Sequence, residues 1–129
     1  MKYPAQIQIT GQTIPVYVQD TPVAEVYRCD ACGYNSPVYA GTAAVCRKCG
    51  HASLTPTEGG ILGQYSCTNS YIRVYHSDET PTLCGINFFH EVLEAINSVN
   101  DLKLPHQTIT TLAACWYQAM TSGNLLSMN

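Results

Sequence analysis

Apolar and polar residues alternate along residues 5–19, where Ile7 and Ile9 precede a Gly11-Gln12 turn and Ile14, Val16 and Val18 follow it. That period of two predicts a β-hairpin. Pro15 lacks a backbone N–H and pushes the second strand towards a sheet edge. Residues 54–60, Leu-Thr-Pro-Thr-Glu-Gly-Gly, read as a loop. Ile61 to Tyr65 reads as a short strand, and Tyr71-Ile72-Arg73-Val74-Tyr75 as a stronger one, rich in β-branched and aromatic residues. His76 to Thr82 returns to loop, with Pro81 as a breaker. The period then changes. From Ile86 to Val99, apolar residues fall at Phe89, Val92, Leu93, Ile96 and Val99, in steps of three and four that predict a helix ending at Asn100-Asp101. Pro105 suits the first turn of a second helix. Its apolar stripe runs through Ile109, Leu112, Ala113, Trp116, Ala119 and Met120, and Gly123-Asn124 closes it. These elements predict an α+β fold, a small antiparallel sheet packed on two helices.

Composition narrows the class. The chain has 129 residues, 46% of them hydrophobic, enough for one compact domain with a small satellite. Charged residues make up only 12%, and the formal net charge is −3. The cations are Lys2, Lys48, Lys103, Arg28, Arg47 and Arg73, too few for a broad basic face, which argues against nucleic acid as the partner. A local contact through Arg28, Arg47 and Lys48 stays open. No apolar run approaches the ~20 residues of a membrane-spanning helix. The start, Met1 to Gln6, lacks the apolar stretch of a signal peptide, so the expected compartment is the cytoplasm. There, seven cysteines point to metal ligands or reduced thiols rather than a disulfide framework.

Four of them form a pattern, Cys29-x2-Cys32 followed by Cys46-x2-Cys49. Each Cys-x2-Cys turn presents two sulfurs to one ion, and two turns complete a tetrahedron. Gly33 and Gly50 follow the pairs, where the backbone needs a residue that tolerates positive φ. The spacing predicts a structural zinc ribbon; iron in a rubredoxin-like site is the rival, because the same thiolates hold it. A closed four-sulfur site has no open coordination position and staples the chain.

A second constellation lies on the first helix, Phe89-His90-Glu91-Val92-Leu93-Glu94. In His-Glu-x-x-His peptidases, two ligands sit at i and i+4 on one helical face, and the intervening glutamate is the base. Here His90-Glu91 is present and the i+4 position is Glu94, a carboxylate that also ligates zinc. His106 is the candidate third ligand, because a short connection from Asn100 to Leu104 makes the two helices antiparallel neighbours.

The stretch from Ile72 to Asn124 resembles small phage and bacterial proteins with a minimal zincin-like metallopeptidase core. The resemblance rests on Ile72-Arg73-Val74, Thr82-Leu83, His90 to Asn97, Leu104-Pro105-His106 and Trp116-Tyr117-Gln118. It covers about half of the chain and leaves out residues 29–51. It implies a second, catalytic zinc on His90, Glu94 and His106, with Glu91 as general base in hydrolysis of a peptide bond. A branch of that family resembles this chain in having glutamate at i+4, a ligand whose negative charge weakens the Lewis acid. It also implies host cytoplasm for a phage-encoded protein.

The resulting division is an N-terminal hairpin over 1–28, an inserted zinc ribbon over 29–51 and a zincin-like core over 52–129. The strand at 71–75 is expected to pair with an extended protein or peptide substrate. The alternative is a catalytically degenerate zinc-binding module docking on a protein. His51 reads as a surface residue beside a filled ligand shell, and His76 as a loop histidine. Cys67, Cys84 and Cys115 lack partner spacing, and Cys115 reads as a small buried hydrophobe.

Overall fold

The computed structural model describes residues 3–39 and 42–123. Its strands are β1 (Gln6–Ile9), β2 (Gln12–Gln19), β3 (Ala24–Cys29), β4 (Asn35–Tyr39), β5 (Leu54–Ile61), β6 (Gly63–Ser66) and β7 (Tyr71–Tyr75). Its helices are α1 (Pro81–Val99) and α2 (His106–Ser122). The fold is α+β, with two small, mostly antiparallel sheets ordered β1-β2-β7-β6 and β4-β3-β5.

The hairpin forms as its alternation predicts, with Ile9 paired to Gln12 across the turn. Gly11 takes φ +82°, a conformation that glycine adopts without steric cost. β2 is not an edge strand. It lies between β1 and β7, and its pairing with β7 is parallel from Val16↔Ile72 onward, so the first sheet is mixed rather than antiparallel. Pro15 is tolerated because it stands one residue before that ladder begins, opposite Gln6 of β1. A parallel pair needs a long crossover. Here the second sheet is carried within it.

Two further expectations change. Residues 54–60 are strand β5 rather than loop. Pro56 and the two glycines suggested a break, but β5 is the outer strand of its sheet, where a missing N–H is tolerated. A register shift between Glu25 and Tyr27 absorbs the irregularity. Pro81 does not break α1 but opens it, in the first turn where no N–H is required.

The main core joins Ile9, Ile14, Val16, Ile72 and Val74 of the first sheet to Phe88 and Ala95 of α1. α1 packs against β6 and β7 on one side and α2 on the other, so its buried line runs through Cys84, Phe88, Glu91 and Ala95, between the two faces. Among the described elements, α2 packs chiefly against α1. Ile109 and Ala113 of its stripe are buried, while Leu112, Cys115 and Trp116 face outward. Cys115 is therefore exposed, contrary to expectation, because the apolar stripe of α2 is wider than the surface α1 offers. No helix among the described residues is long and apolar enough to cross a membrane.

Candidate metal centres

The cysteine pairs sit on two turns of matching construction. In the first, Cys29 N–H donates to Tyr34 O and Gly33 N–H to Cys29 O; in the second, Cys46 N–H donates to His51 O and Gly50 N–H to Cys46 O. Gly33 and Gly50 have φ of +76° and +79°, the positive values that the spacing predicts. The turns face each other, with Sγ separations of 3.5 Å between Cys29 and Cys49 and 3.6 Å between Cys32 and Cys46. All four thiols are free, and the four sulfurs lie within 4.8 Å of one another, so the group could hold a metal ion. Soft sulfur donors in this number are consistent with zinc. Backbone N–H groups converge on them. That of Cys49 is the main influence drawing the Cys46 thiol down to about 6, opposed by desolvation and helped by Lys48 N–H. His51 is exposed and outside the sulfur set, but its Nδ1 lies 3.3 Å from Cys49 Sγ.

The second group is built by the helix pair. After α1, Asn97 clamps the connection: its Oδ1 accepts from Leu104 N–H at 2.9 Å and its amide donates to Leu104 O at 3.4 Å. Asp101 and Lys103 take positive φ to make the turn tight, and Pro105 enters α2 in extended conformation. This geometry brings His106 back onto α1. Its Nδ1 is 3.4 Å from Glu94 Oε1, and His90 Nε2 is 3.5 Å from the same oxygen. The two imidazole centroids are 4.9 Å apart. His90, Glu94 and His106 thus offer three donor atoms within 4.8 Å and could hold a second metal ion. Burial first, then the charge of His106, lowers the pKa of His90 against the pull of Glu94, which favours the neutral imidazole a ligand must be.

Glu91, one residue along, lines the same cavity and packs against β6. It is 8% exposed and accepts a hydrogen bond from the Tyr65 backbone N–H. Burial, with the charge of Glu94 second, pushes its carboxyl up to about 7 despite that hydrogen bond. Gly63 presses against it: a Cβ there would lie 2.8 Å from Glu91 Cγ and 2.9 Å from Oε2. From sequence Gly63 carries no signal of this role, and Tyr65 reads as a packing tyrosine, not as a backbone donor to Glu91. The strand pattern at 61–65 was visible, but nothing local says that it borders Glu91.

A cavity of about 600 Å³ opens over the group, with Gly63, Gln64 and Tyr65 on one wall and His90, Glu94 and His106 on another. The strand at 71–75 cannot take an added strand, because β7 is enclosed between β2 and β6. The outer strands of this sheet are β1 and β6, and β6 is the one that lines the cavity. His76 lies outside this cavity; its ring accepts or donates between Tyr3 Oη at 3.0 Å and Asp78 Oδ1 at 2.9 Å. Cys84 is buried, and Cys67 is exposed.

The chain matches no family model, no curated protein and no solved structure.

Proposed function

We propose that the chain is a zinc-dependent hydrolase of peptide bonds, with a structural zinc ribbon at Cys29, Cys32, Cys46 and Cys49. The observation that carries this reading is the placement of a three-donor group and a buried carboxyl, Glu91, on adjacent walls of one cavity. Two histidines and a glutamate are a donor set of catalytic zinc, with a position left for solvent or substrate. A divalent ion there supplies Lewis acidity to the attacked carbonyl and the attacking water. The protein does the rest. Glu91, held by Tyr65 N–H, takes a proton from the water as its oxygen bonds to the carbonyl carbon. It returns that proton to the amide nitrogen as the C–N bond breaks, so one water is added across the bond. The open edge of β6 is suited to an extended protein or peptide segment. The zincin-like pattern of residues 72–124 supports the same assignment.

Metal content and turnover test it together. Two zinc ions per wild-type chain should fall to one in His90→Ala. Glu91→Gln should keep both ions and lose hydrolysis by about 10²- to 10⁴-fold. Hydrolysis that survives Glu91→Gln would remove Glu91 as the base. One ion in both wild type and His90→Ala would favour a protein-docking module instead. One observation supports that second reading: α2 has no Asp, Glu, Lys or Arg, and it exposes Leu112 at 40% and Trp116 at 54%.

A further inference from the structure

Resting on the hydrolase reading, we infer that the cavity takes an internal peptide segment, not a chain terminus, and selects an apolar side chain about three residues from the bond attacked, through Leu83. Three features converge on this. The first is the open edge. Tyr75 N–H donates to Leu62 O, and the register continues as Gln64↔Arg73, so Leu62, Gln64 and Ser66 turn their backbone groups to β7. Gly63 and Tyr65 therefore turn theirs outward. Tyr65 N–H is engaged by Glu91, which leaves Gly63 to meet an extended chain beside the metal group.

The second is the floor of the cavity on α1. Leu83, Asn87, His90 and Glu94 all line it, at spacings of four, three and four. They form one continuous helical stripe. Leu83 is 48% exposed at its far end, a large aliphatic side chain turned to solvent over the cavity. Seven residues of helix separate it from His90, about 10 Å along the axis. An extended chain covers that length in about three residues. The third is charge. Among the described residues that line the cavity there is no Lys or Arg, and the acidic groups are Glu91 and Glu94. Away from the position a metal would take, a free carboxylate terminus finds no Lys or Arg to bind, and acidic side chains meet Glu91.

The test is fluorescence anisotropy with N-acetylated, C-amidated nonapeptides on the full-length, zinc-loaded Glu91→Gln protein. One position at a time is set to Leu, Lys or Glu. Leu at one position should bind about tenfold more tightly than Lys there, the free energy of burying one aliphatic side chain. Adding Leu83→Glu should reverse that order at the same position with zinc content unchanged, and Leu83→Ala should flatten it. Replacing the C-terminal amide by a carboxylate should weaken binding. Absence of binding, a ranking indifferent to Leu83, or tighter binding of the carboxylate form would each overturn the inference. Proteolysis of an unfolded protein by the wild type separates the two readings. Leu83-dependent binding with no cleavage refutes the hydrolase and leaves the groove. Cleavage with a ranking indifferent to Leu83 refutes the groove alone.

Discussion

Gly63 shows how much a single absent side chain can determine. Glu91 is a carboxyl in an apolar layer, and it stays there because β6 offers an N–H at Tyr65 and no Cβ at Gly63. Gly63→Ala puts a methyl into space that Glu91 Cγ and Oε2 occupy, so the carboxyl must leave its hydrogen bond or β6 must move. Thermal unfolding should show a loss of about 1–3 kcal/mol, and hydrolysis should fall with it while zinc content holds. Tyr3 gives a second prediction. Burial first, then nearby Cys84 and Tyr117, pushes its phenol from the ordinary 10 up to about 12. The neutral phenol is the form the fold prefers, so its contribution is intact below pH 10 and is lost as pH rises from 10 to 12. A denaturation series over that window should fall less steeply in Tyr3→Phe than in wild type. At this scale the residues that could hold a metal are legible, since Cys-x2-Cys turns and a His-Glu helix are local patterns. The burial of Glu91 was not, because it depends on β6, which lies more than twenty residues earlier in the chain.

Between elements, the decisive link is the one joining α1 to α2. His106 reaches Glu94 only because the chain reverses within six residues, and Asn97 holds that reversal through both polar ends of its amide. Asn97→Ala removes two hydrogen bonds, each contributing about 1 kcal/mol net. It should lower stability by about 1–2 kcal/mol. Zinc competition against a chelator should show weaker binding at His90, Glu94 and His106, with the cysteine site unaffected. The sequence predicted this neighbourhood from the shortness of the connection, and the helices themselves from their period. β5 escaped it, because Pro56 and two glycines are turn signals in isolation and a tolerated outer strand only once β3 is alongside. The parallel β2–β7 pairing escaped it for the same reason: Pro15 forbids a partner only at its own position, and the ladder to β7 begins one residue later, at Val16.

For the whole molecule, the distribution of the core sets what a metal held by the four cysteines would do. Every residue of the main hydrophobic cluster belongs to the first sheet or α1, joined by Tyr3 at its margin. The second sheet contributes none, and its buried side chains among the described residues are Ala24, Cys29 and Ser36 rather than large aliphatics, with Cys46 buried on the turn beside it. A three-stranded sheet without a core of its own is marginal. A metal cross-link between its two cysteine turns would then be the main term holding this sheet together. Stripping the metal with a chelator under reducing conditions should therefore open this sheet before the rest. Amide exchange in β3, β4 and β5 should accelerate about a hundredfold or more, while β2 and β7 keep their protection. Uniform protection after complete zinc removal would show that the sheet stands without the ion. The effect should not stop at the sheet boundary. β5 runs into β6 with Leu62 alone between them, and β6 carries the N–H that holds Glu91. Loss of the cysteine-bound metal should thus reach Gly63 and Tyr65 as faster exchange, and slow hydrolysis before the His90 site loses its own ion.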